Sequence, residues 1–366
     1  MKIAIITQPL KYNYGGILQN YALQTVLKED GHQVVTLDGK IKTRKSIKRT
    51  VLNGIKSIIK FFSDKNGRFF HLVKIRFSED VLSQNTSQFI KKYIDTKPLS
   101  TVSSGEYEAL IVGSDQVWRP AYSNLDEAYL GFAKEWVGIK RIAYAASFGS
   151  DEWEYNKEET EQCRKLIKLF DAISVREKTG ISLCKEYLKV DAFHVLDPTM
   201  LLTKEDYINN LSIKDVTVSK GDLFFYFLDP SEDKYNTLDK IAKITGLSPF
   251  TVNSKVEDIT ATLQERIQPP VEEWIRGFYD AKFVLTDSFH GCVFSMIFDK
   301  PFVVIANNKR GRSRFDSLLE IFDQQFRLIE DVKDVKIVPA LFNKPNINLE
   351  NKKSLSLSFL SNALTM

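Results

Sequence analysis

The sequence predicts an α/β protein with two Rossmann-like domains that face each other across a cleft. The chain has 366 residues, about twice the size of an ordinary domain. In both halves, short apolar and β-branched runs alternate with helical segments, a pattern typical of βαβ units around parallel sheets. Polar residues and glycines follow several of these runs. Open parallel sheets bind ligands at such strand ends, so we expect the functional residues there.

The first domain is predicted to span residues 1–192. It opens with a strand, a glycine turn, a helix and a second strand, at KIAIIT (2–7), Asn13–Gly16, ILQNYALQTVLKEDG (17–31) and QVVTL (33–37). Later strands are predicted at ALIVG (109–113), RIAYAASFG (141–149) and AISVRE (172–177). The region of about 40–100 is interpreted as a basic, amphipathic helical insertion.

The second domain is predicted to span residues 193–340, with 341–366 as a C-terminal tail. FHVLDPTML (193–201) is interpreted as a strand and crossover, with Asp197-Pro198 as a domain junction. The next elements are a strand at DLFFYFLD (222–229), a helix at about 231–245, a strand at FVLTDSFHG (283–291) that breaks into a loop, a helix at CVFSMIFD (292–299), a strand at PFVVIA (301–306) and a helix at 313–323.

Composition excludes several classes of protein. A chain that is 43% hydrophobic and 27% charged is neither disordered nor fibrous. No apolar run approaches the roughly 20 residues of a membrane span, and MKIAIITQPL lacks the features of a signal peptide. The three widely spaced cysteines form no disulfide framework, so we expect a cytoplasmic protein. The four histidines form no zinc motif, and a net charge of +4 gives no reason to expect nucleic acid.

Basic residues are concentrated in one stretch. From Lys40 to Arg76 there are 12 Lys and Arg against one acid, a local net charge of +11. Within residues 41–62 the apolar positions follow helical spacing, with Lys and Arg on the other faces. Such a helix could lie on an anionic membrane surface. The alternative is a helix packed on the first domain with a solvated basic face.

Seven segments, in order along the chain, carry a resemblance to a known family: YNYGGILQNYALQ (12–24), VGSDQVW (112–118), YAASFG (144–149), SVRE (174–177), LDPTMLL (196–202), TDSFHGCVFSMIFDKPFVVI (286–305) and GRSRFDSLLE (311–320). Through these segments the chain resembles the polysaccharide pyruvyl transferase family. The resemblance has implications for fold and activity. It implies a fold similar to the GT-B glycosyltransferases. It also implies transfer of the enolpyruvyl group of phosphoenolpyruvate to a sugar, often as a cyclic ketal, with no cofactor. Some members carry a basic residue just ahead of the histidine motif, where this chain has Asp287-Ser288-Phe289.

His290 is the leading catalytic candidate. Ketal formation needs a proton delivered to the donor's methylene carbon and a sugar hydroxyl deprotonated, and an imidazole suits either task. The alternative is a structural histidine. Gly291 would let a ligand approach closely, and Ser288 is assigned to the same donor side. Cys292 is interpreted as a packing residue.

Arginines are the predicted ligands of the donor. Arg176 ends the strand AISV, and a guanidinium suits both the carboxylate and the phosphate of phosphoenolpyruvate. The alternative is a surface pair with Glu177. Arg312 and Arg314 open the helix at 313 and would clamp phosphate, unless they belong to a solvated basic loop.

The acceptor is predicted to contact the strand ends of the first domain. Gly15 and Gly16 form either an anion or sugar site or a plain tight turn. Asn13 and Gln19 would hydrogen-bond acceptor hydroxyls. Asp115 would orient or activate a hydroxyl beside Ser114, unless one of the two is a helix N-cap. Trp118 would stack on a sugar, unless it is a core residue.

Three functions are therefore considered. The first is a cytoplasmic pyruvyl transferase that acts on a sugar or lipid-linked oligosaccharide of a cell-surface polysaccharide, with possible membrane contact through 41–62. The second is a glycosyltransferase that uses a nucleotide sugar. The third is a non-catalytic glycan-binding or assembly protein at the membrane.

Overall fold

The structure is a computed structural model that describes residues 1–39, 80–256, 258, 260–306, 311–329 and 339–365. The predicted basic helix at 41–62 lies outside these residues, so its membrane contact stays a prediction. Among the described residues, no helix combines the length and the apolar character needed to cross a bilayer.

The first half of the chain builds a seven-stranded sheet in which every neighbouring pair of strands is parallel. Its strands are β1 (Lys2–Ile6), β2 (Gln33–Asp38), β3 (Thr96–Pro98), β4 (Ala109–Val112), β5 (Lys140–Ala146), β6 (Ala172–Val175) and β7 (Phe193–His194). The order is β3-β2-β1-β4-β5-β6-β7, which reverses direction between β1 and β4. A ligand-binding crevice is expected outside the carboxyl ends of these two strands.

Helices and short 3-10 turns connect these strands. The helices are α1 (Tyr14–Glu29), α2 (Gln84–Tyr93), α3 (Leu125–Ala128), α4 (Lys157–Ile167) and α5 (Lys178–Leu183). After β7, a 3-10 turn at Pro198–Leu201 and helix α6 (Lys204–Asn210) lead into the second half. The predicted boundary at 192 falls just before β7, which still belongs to the first sheet.

The second half builds a five-stranded parallel sheet in the order β12-β11-β10-β8-β9. Its strands are β8 (Leu223–Tyr226), β9 (Pro249–Phe250), β10 (Phe283–Thr286), β11 (Phe302–Ile305) and β12 (Leu328–Ile329). Its helices are α7 (Glu232–Thr245), α8 (Leu263–Arg266), α9 (Val271–Asp280), α10 (Phe289–Ile297) and α11 (Ser313–Ile321). The order reverses between β8 and β10, so this sheet has its own switch point.

Apolar side chains cover both faces of both sheets, which explains the continuous apolar runs of the strands. The predicted α/β class with two parallel-sheet domains is therefore confirmed. Residues 341–366, predicted as a tail, contain helix α12 (Glu350–Thr365). Helix α12 packs against the first sheet, where its Leu360, Ala363 and Leu364 join one apolar cluster with Ile3 and Ile5 of β1. The C-terminus thus returns to the first domain.

Candidate active site

A cleft of about 1220 Å³ lies between the carboxyl ends of the two sheets. Asn13, Asp115 and Gln116 line it from the first domain, and His290 and Arg314 line it from the second. Typical small-molecule sites measure about 300–1,000 Å³. The cleft therefore has room for a small donor together with part of a larger acceptor.

Asp197 is the buried centre of a polar cluster behind the cleft. Its Oδ2 accepts hydrogen bonds from Nη1 of Arg176 at 2.7 Å and from Oγ of Ser114 at 3.2 Å. Its Oδ1 accepts from the amide of Thr199 at 3.0 Å and from its hydroxyl at 2.7 Å. Burial alone would raise the pKa of Asp197, but His290 and Arg176 hold it far below its usual range. The carboxylate is therefore charged at any working pH.

Arg176 lies behind the cleft and does not line it. Its side chain is 1% exposed, and its Nη2 lies 3.6 Å from Oδ1 of Asp115 in addition to the bond with Asp197. The guanidinium sits 4.6 Å above the ring of Phe289. Direct donor contact was expected of Arg176, but the structure engages it with two buried carboxylates. Its predicted alternative partner, Glu177, instead accepts the amides of Phe148 and Gly149.

His290 belongs to the first turn of α10 and not to the predicted loop. Its Nε2 lies 3.5 Å from Oδ2 of Asp197, and this nitrogen is buried with no hydrogen-bond partner. Ser288 caps the helix by accepting the amide of Gly291 at 3.3 Å, and Ser288 also lines the cleft. A Cβ on Gly291 would lie 2.3 Å from Oγ1 of Thr286, so this glycine allows α10 to pack on β10 and does not admit a ligand.

Gly15 makes room for His290. A Cβ on Gly15 would lie 1.9 Å from Nδ1 of the imidazole, and only a glycine permits this contact between α1 and α10. On the next residue, Gly16, a Cβ would lie 3.2 Å from Nδ2 of Asn13 and from Oδ2 of Asp115, which is tight but not prohibitive. Gly15 thus allows the two domains to approach each other, whereas Gly16 leaves room for Asn13 and Asp115 within the first domain.

Asp115 faces the cleft from the end of β4. Its backbone φ is +73°, an unusual conformation that Asp tolerates better than most residues. Oδ1 accepts the amide of Gln116 at 2.9 Å, and Oδ2 accepts a hydrogen bond from Nδ2 of Asn13 at 3.1 Å. Asn13 and Asp115 therefore meet in the cleft, and their contact with the acceptor stays a prediction.

Three other residues assigned to the acceptor lie inside the protein. Gln19 is fully buried and donates to Oγ1 of Thr7 and to the carbonyl of Gly16. Ser114 is fully buried against Asp197. Trp118 is fully buried, stacks on Tyr129 and donates its indole N–H to a backbone carbonyl. A sugar in the cleft therefore cannot contact Ser114, Gln19 or Trp118, because all three are fully buried.

The two arginines at the start of α11 differ in position: Arg312 is its N-cap, and Arg314 lies in its first turn. Arg314 is buried and lines the cleft, with its guanidinium 5.3 Å from the ring centre of Phe289. Burial, with the nearby charge of Arg176, lowers the pKa of Arg314 to about 10. Arg312 is more exposed, pairs with Asp316 at 3.3 Å and does not line the cleft. Of these two arginines, Arg314 is therefore the one whose charge lies in the cleft.

Asp287 occupies the switch point of the second sheet. Its carboxylate is fully buried and accepts the amides of Leu228 at 2.6 Å and Asp229 at 3.0 Å. Lys234, in the first turn of α7, donates to it at 2.6 Å. An internal carboxylate thus uses the backbone donors that an anionic ligand would need at this point.

Metal and thiol chemistry have no support among the described residues. They contain no group of three or more His, Cys, Asp or Glu that could hold a metal ion. Burial raises the pKa of Cys163 and Cys184 to about 12 and that of Cys292 further, so these thiols are protonated. Cys292 packs in the core as predicted.

Asp197 and Asp287 were missed as site residues by the sequence reasoning. Asp197 was interpreted only as part of a domain junction, and Asp287 only as a departure from a motif. The available signal was position, because each acid directly follows an apolar run. Acids are rarely buried unless they are paired, so a partner could have been expected for each.

The sequence model of the polysaccharide pyruvyl transferase family matches residues 13–309. The chain therefore belongs to this family. No curated protein sequence matches it.

Several solved structures are similar in fold. The UDP-GlcNAc 2-epimerase of Neisseria meningitidis bound to UDP-GlcNAc shares 10% identity, with 99% of this chain and 100% of that chain covered and a TM-score of 0.47. The UDP-GlcNAc 2-epimerase of Methanocaldococcus jannaschii shares 13% identity at the same coverage, with a TM-score of 0.46. An α-glucosyltransferase in complex with UDP shares 10% identity, with 99% and 96% covered and a TM-score of 0.44.

Proposed function

We propose that this member of the polysaccharide pyruvyl transferase family moves the enolpyruvyl group of phosphoenolpyruvate onto the hydroxyls of a sugar in a cell-surface polysaccharide or its lipid-linked precursor. The observation that carries the proposal is the arrangement of the cleft. His290 and Arg314 line it from one domain, and Asp115 with Asn13 lines it from the other. A proton-transfer group and a cation thus face a carboxylate across a space of suitable size.

The reaction requires each of these parts. A proton adds to the methylene carbon of phosphoenolpyruvate, and the π electrons form the new C–H bond. One sugar hydroxyl bonds to the central carbon and loses its proton, the bond from that carbon to the phosphate oxygen breaks, and a second hydroxyl closes the ketal. The products are the pyruvate ketal and inorganic phosphate, so no oxidant, metal or cofactor enters the balance.

Arg314 is the proposed donor ligand. A guanidinium binds carboxylate and phosphate groups with two parallel hydrogen bonds. Burial disfavours its charged state, and the lowered pKa of about 10 reflects that cost. A bound anion would offset it, since an opposite charge stabilises a buried cation. Arg176, held by Asp197, supplies positive charge behind the site without touching the donor.

His290 is the proposed proton-transfer residue, and Asp115 the proposed partner of the acceptor. His290 lies between the domains where a donor at Arg314 and an acceptor at Asp115 would meet. Asp115 is fixed by Asn13 and by the amide of Gln116, so its carboxylate is preorganised to orient a hydroxyl. Asp115 is 3% exposed as a residue and lines the cleft.

The arrangement around Asp287 argues against a nucleotide-sugar donor. A diphosphate at the second switch point would seek the amides of Leu228 and Asp229, but the Asp287 carboxylate already accepts both. The Asp287 carboxylate would also repel a second anion at this position. The small donor proposed here needs no contact at that position.

We propose that the protein acts at the cytoplasmic face of the plasma membrane, where lipid-linked acceptors are assembled. The basic stretch 41–62 is the proposed contact with anionic lipid. Sedimentation with vesicles that contain phosphatidylglycerol, against vesicles of phosphatidylcholine alone, tests this part separately.

The test of the donor is calorimetric titration of phosphoenolpyruvate into the wild type, Arg314→Ala and Arg312→Ala. Saturable binding that is lost in Arg314→Ala and kept in Arg312→Ala supports the proposal, because the two arginines differ in access to the cleft. UDP-sugars are titrated in parallel. Binding of a UDP-sugar with none of phosphoenolpyruvate would replace the proposal with a glycosyltransferase.

A further inference from the structure

We propose that Asp197 is a positioning residue for His290: its carboxylate fixes the Nε2 side of the imidazole and thereby presents Nδ1 to the donor's methylene carbon. This inference rests on the proposed function and adds to it a residue and a direction of proton transfer. From the sequence, Asp197 was interpreted only as part of a junction between domains.

The geometry assigns opposite surroundings to the two ring nitrogens. Nε2 is buried, has no hydrogen-bond partner and lies 3.5 Å from Oδ2 of Asp197. The imidazole packs on Gly15, where a Cβ would lie 1.9 Å from Nδ1, and the His290 side chain lines the cleft. Nε2 is the His290 ring nitrogen that is buried without a partner, so Nδ1 is the nitrogen left to face the cleft. Hydrogen bonds of catalytic groups are often long before substrate binds and shorten in the complex. A shift of about half an ångström would bring Nε2 into hydrogen-bond distance of Asp197.

Asp197 is itself held in place at both oxygens. Thr199 donates twice to Oδ1, and Arg176 and Ser114 donate to Oδ2. The side chain is 1% exposed, so water does not screen its charge. A carboxylate that is immobilised this way selects the tautomer and the orientation of the imidazole beside it.

Other charges also face His290. Asp115 lies across the cleft at the end of β4, Arg314 approaches from α11, and Arg176 lies behind Asp197. From α1 the contact is with the uncharged Gly15. Among these charged groups, Asp197 is the one whose carboxylate lies 3.5 Å from the ring.

The chemical consequence is a general acid. With Nε2–H directed at Asp197, a protonated ring carries its second proton on Nδ1. That proton passes to the methylene carbon of phosphoenolpyruvate, whose π electrons form the C–H bond, and the ring is left neutral with its remaining proton on Nε2. Asp197 keeps its charge throughout and touches no substrate.

The first test uses wild-type protein with ¹⁵N-labelled histidine. After His290 is assigned by comparison with His290→Gln, the nitrogen chemical shifts of its neutral form report which nitrogen carries the proton. We expect the proton on Nε2. A neutral form with the proton on Nδ1 overturns the inference, whatever the variants do.

The second test compares Asp197→Asn with Asp287→Asn, since each removes a buried, ion-paired carboxylate. In Asp197→Asn we expect the pH at which the His290 signals titrate to fall by about one unit or more, because an opposite charge at this distance is lost. The acid limb of the pH–rate profile should move with it. In Asp287→Asn a much smaller shift is expected. Equal shifts in both variants would contradict a specific role for Asp197.

Failure of this inference is distinguishable from failure of the proposed function. If His290→Gln keeps wild-type transfer, the proposed function of His290 is wrong. If His290→Gln abolishes transfer while Asp197→Asn folds and leaves both the titration and the pH–rate profile in place, the function stands and the positioning role does not.

Discussion

Gly15→Ala adds one methyl group at the contact between α1 and His290. The new Cβ would lie 1.9 Å from Nδ1, 2.2 Å from Cγ and 2.5 Å from Cε1 of the imidazole. Contacts become ordinary only at about 3.4 Å. The ring must therefore retreat by about 1.5 Å, or the two domains must separate by a similar distance.

The expected loss of activity is larger than the expected loss of stability. A misplacement of about 1 Å at a catalytic group costs on the order of 100-fold in rate, so kcat should fall by at least about that factor. Overpacking costs about 1–3 kcal/mol, and alanine in a helix recovers about 1 kcal/mol relative to glycine. The free energy of unfolding should therefore fall by no more than about 2 kcal/mol.

Phosphate release from phosphoenolpyruvate, in the presence of a sugar acceptor found by screening, measures kcat. Urea unfolding measures stability. The matched control is Gly16→Ala, which adds the same methyl group one residue later in the same helical turn. Its Cβ would lie 3.2 Å from Nδ2 of Asn13 and from Oδ2 of Asp115, a contact that requires a shift of only a few tenths of an ångström. We therefore expect a loss in kcat of less than about 10-fold.

Two results would refute this reasoning. If Gly15→Ala keeps kcat within a few-fold of wild type, the position of His290 does not limit the reaction. If Gly16→Ala loses as much activity as Gly15→Ala, the loss reflects general damage to α1 and not the contact with the imidazole.

Three further results are expected. Arg314→Lys should weaken phosphoenolpyruvate binding at least about 10-fold in calorimetry, because an ammonium cannot make the bidentate contact; unchanged affinity would remove Arg314 from the donor site. Asp287→Ala should lower the free energy of unfolding by about 3–5 kcal/mol in urea, since it leaves Lys234 buried without its carboxylate, and a loss below about 1 kcal/mol would contradict this. The depressed pKa of Asp197 should stabilise the fold above the ordinary Asp value of about 4, and this contribution should be lost progressively as the pH falls below it. Thermal unfolding from pH 6 to pH 2.5 should show a steeper decline for wild type than for Asp197→Asn, and parallel curves would argue against it.

The sequence predicted the parallel sheets well because their signal is local. Four of the five residues of β1 are buried, and the apolar run KIAII reports this directly. The strand end at Asp115 was found in the same way. Gly15 and Gly16 were predicted to form a turn before the helix, but they lie in the first turn of α1, which begins at Tyr14. His290 was predicted to lie in a loop after β10. It lies in α10, because Ser288 caps the helix and FHG forms its first turn.

The roles of Arg176, Asp197 and Trp118 could not be predicted, because each depends on a partner that is distant in sequence. The Arg176 guanidinium pairs with Asp197, 21 positions further along the chain. Trp118 follows a strand end like a cleft residue, yet Tyr129 covers its ring. The contact of Gly15 with His290 spans the two domains and leaves no local trace in either segment.

A structure of the protein with phosphoenolpyruvate bound is the most direct measurement of the central claim. The account predicts the donor in the interdomain cleft, with an anionic group on Arg314 and the methylene carbon about 3–3.5 Å from Nδ1 of His290. A donor bound elsewhere, or one whose methylene carbon faces away from His290, would contradict it.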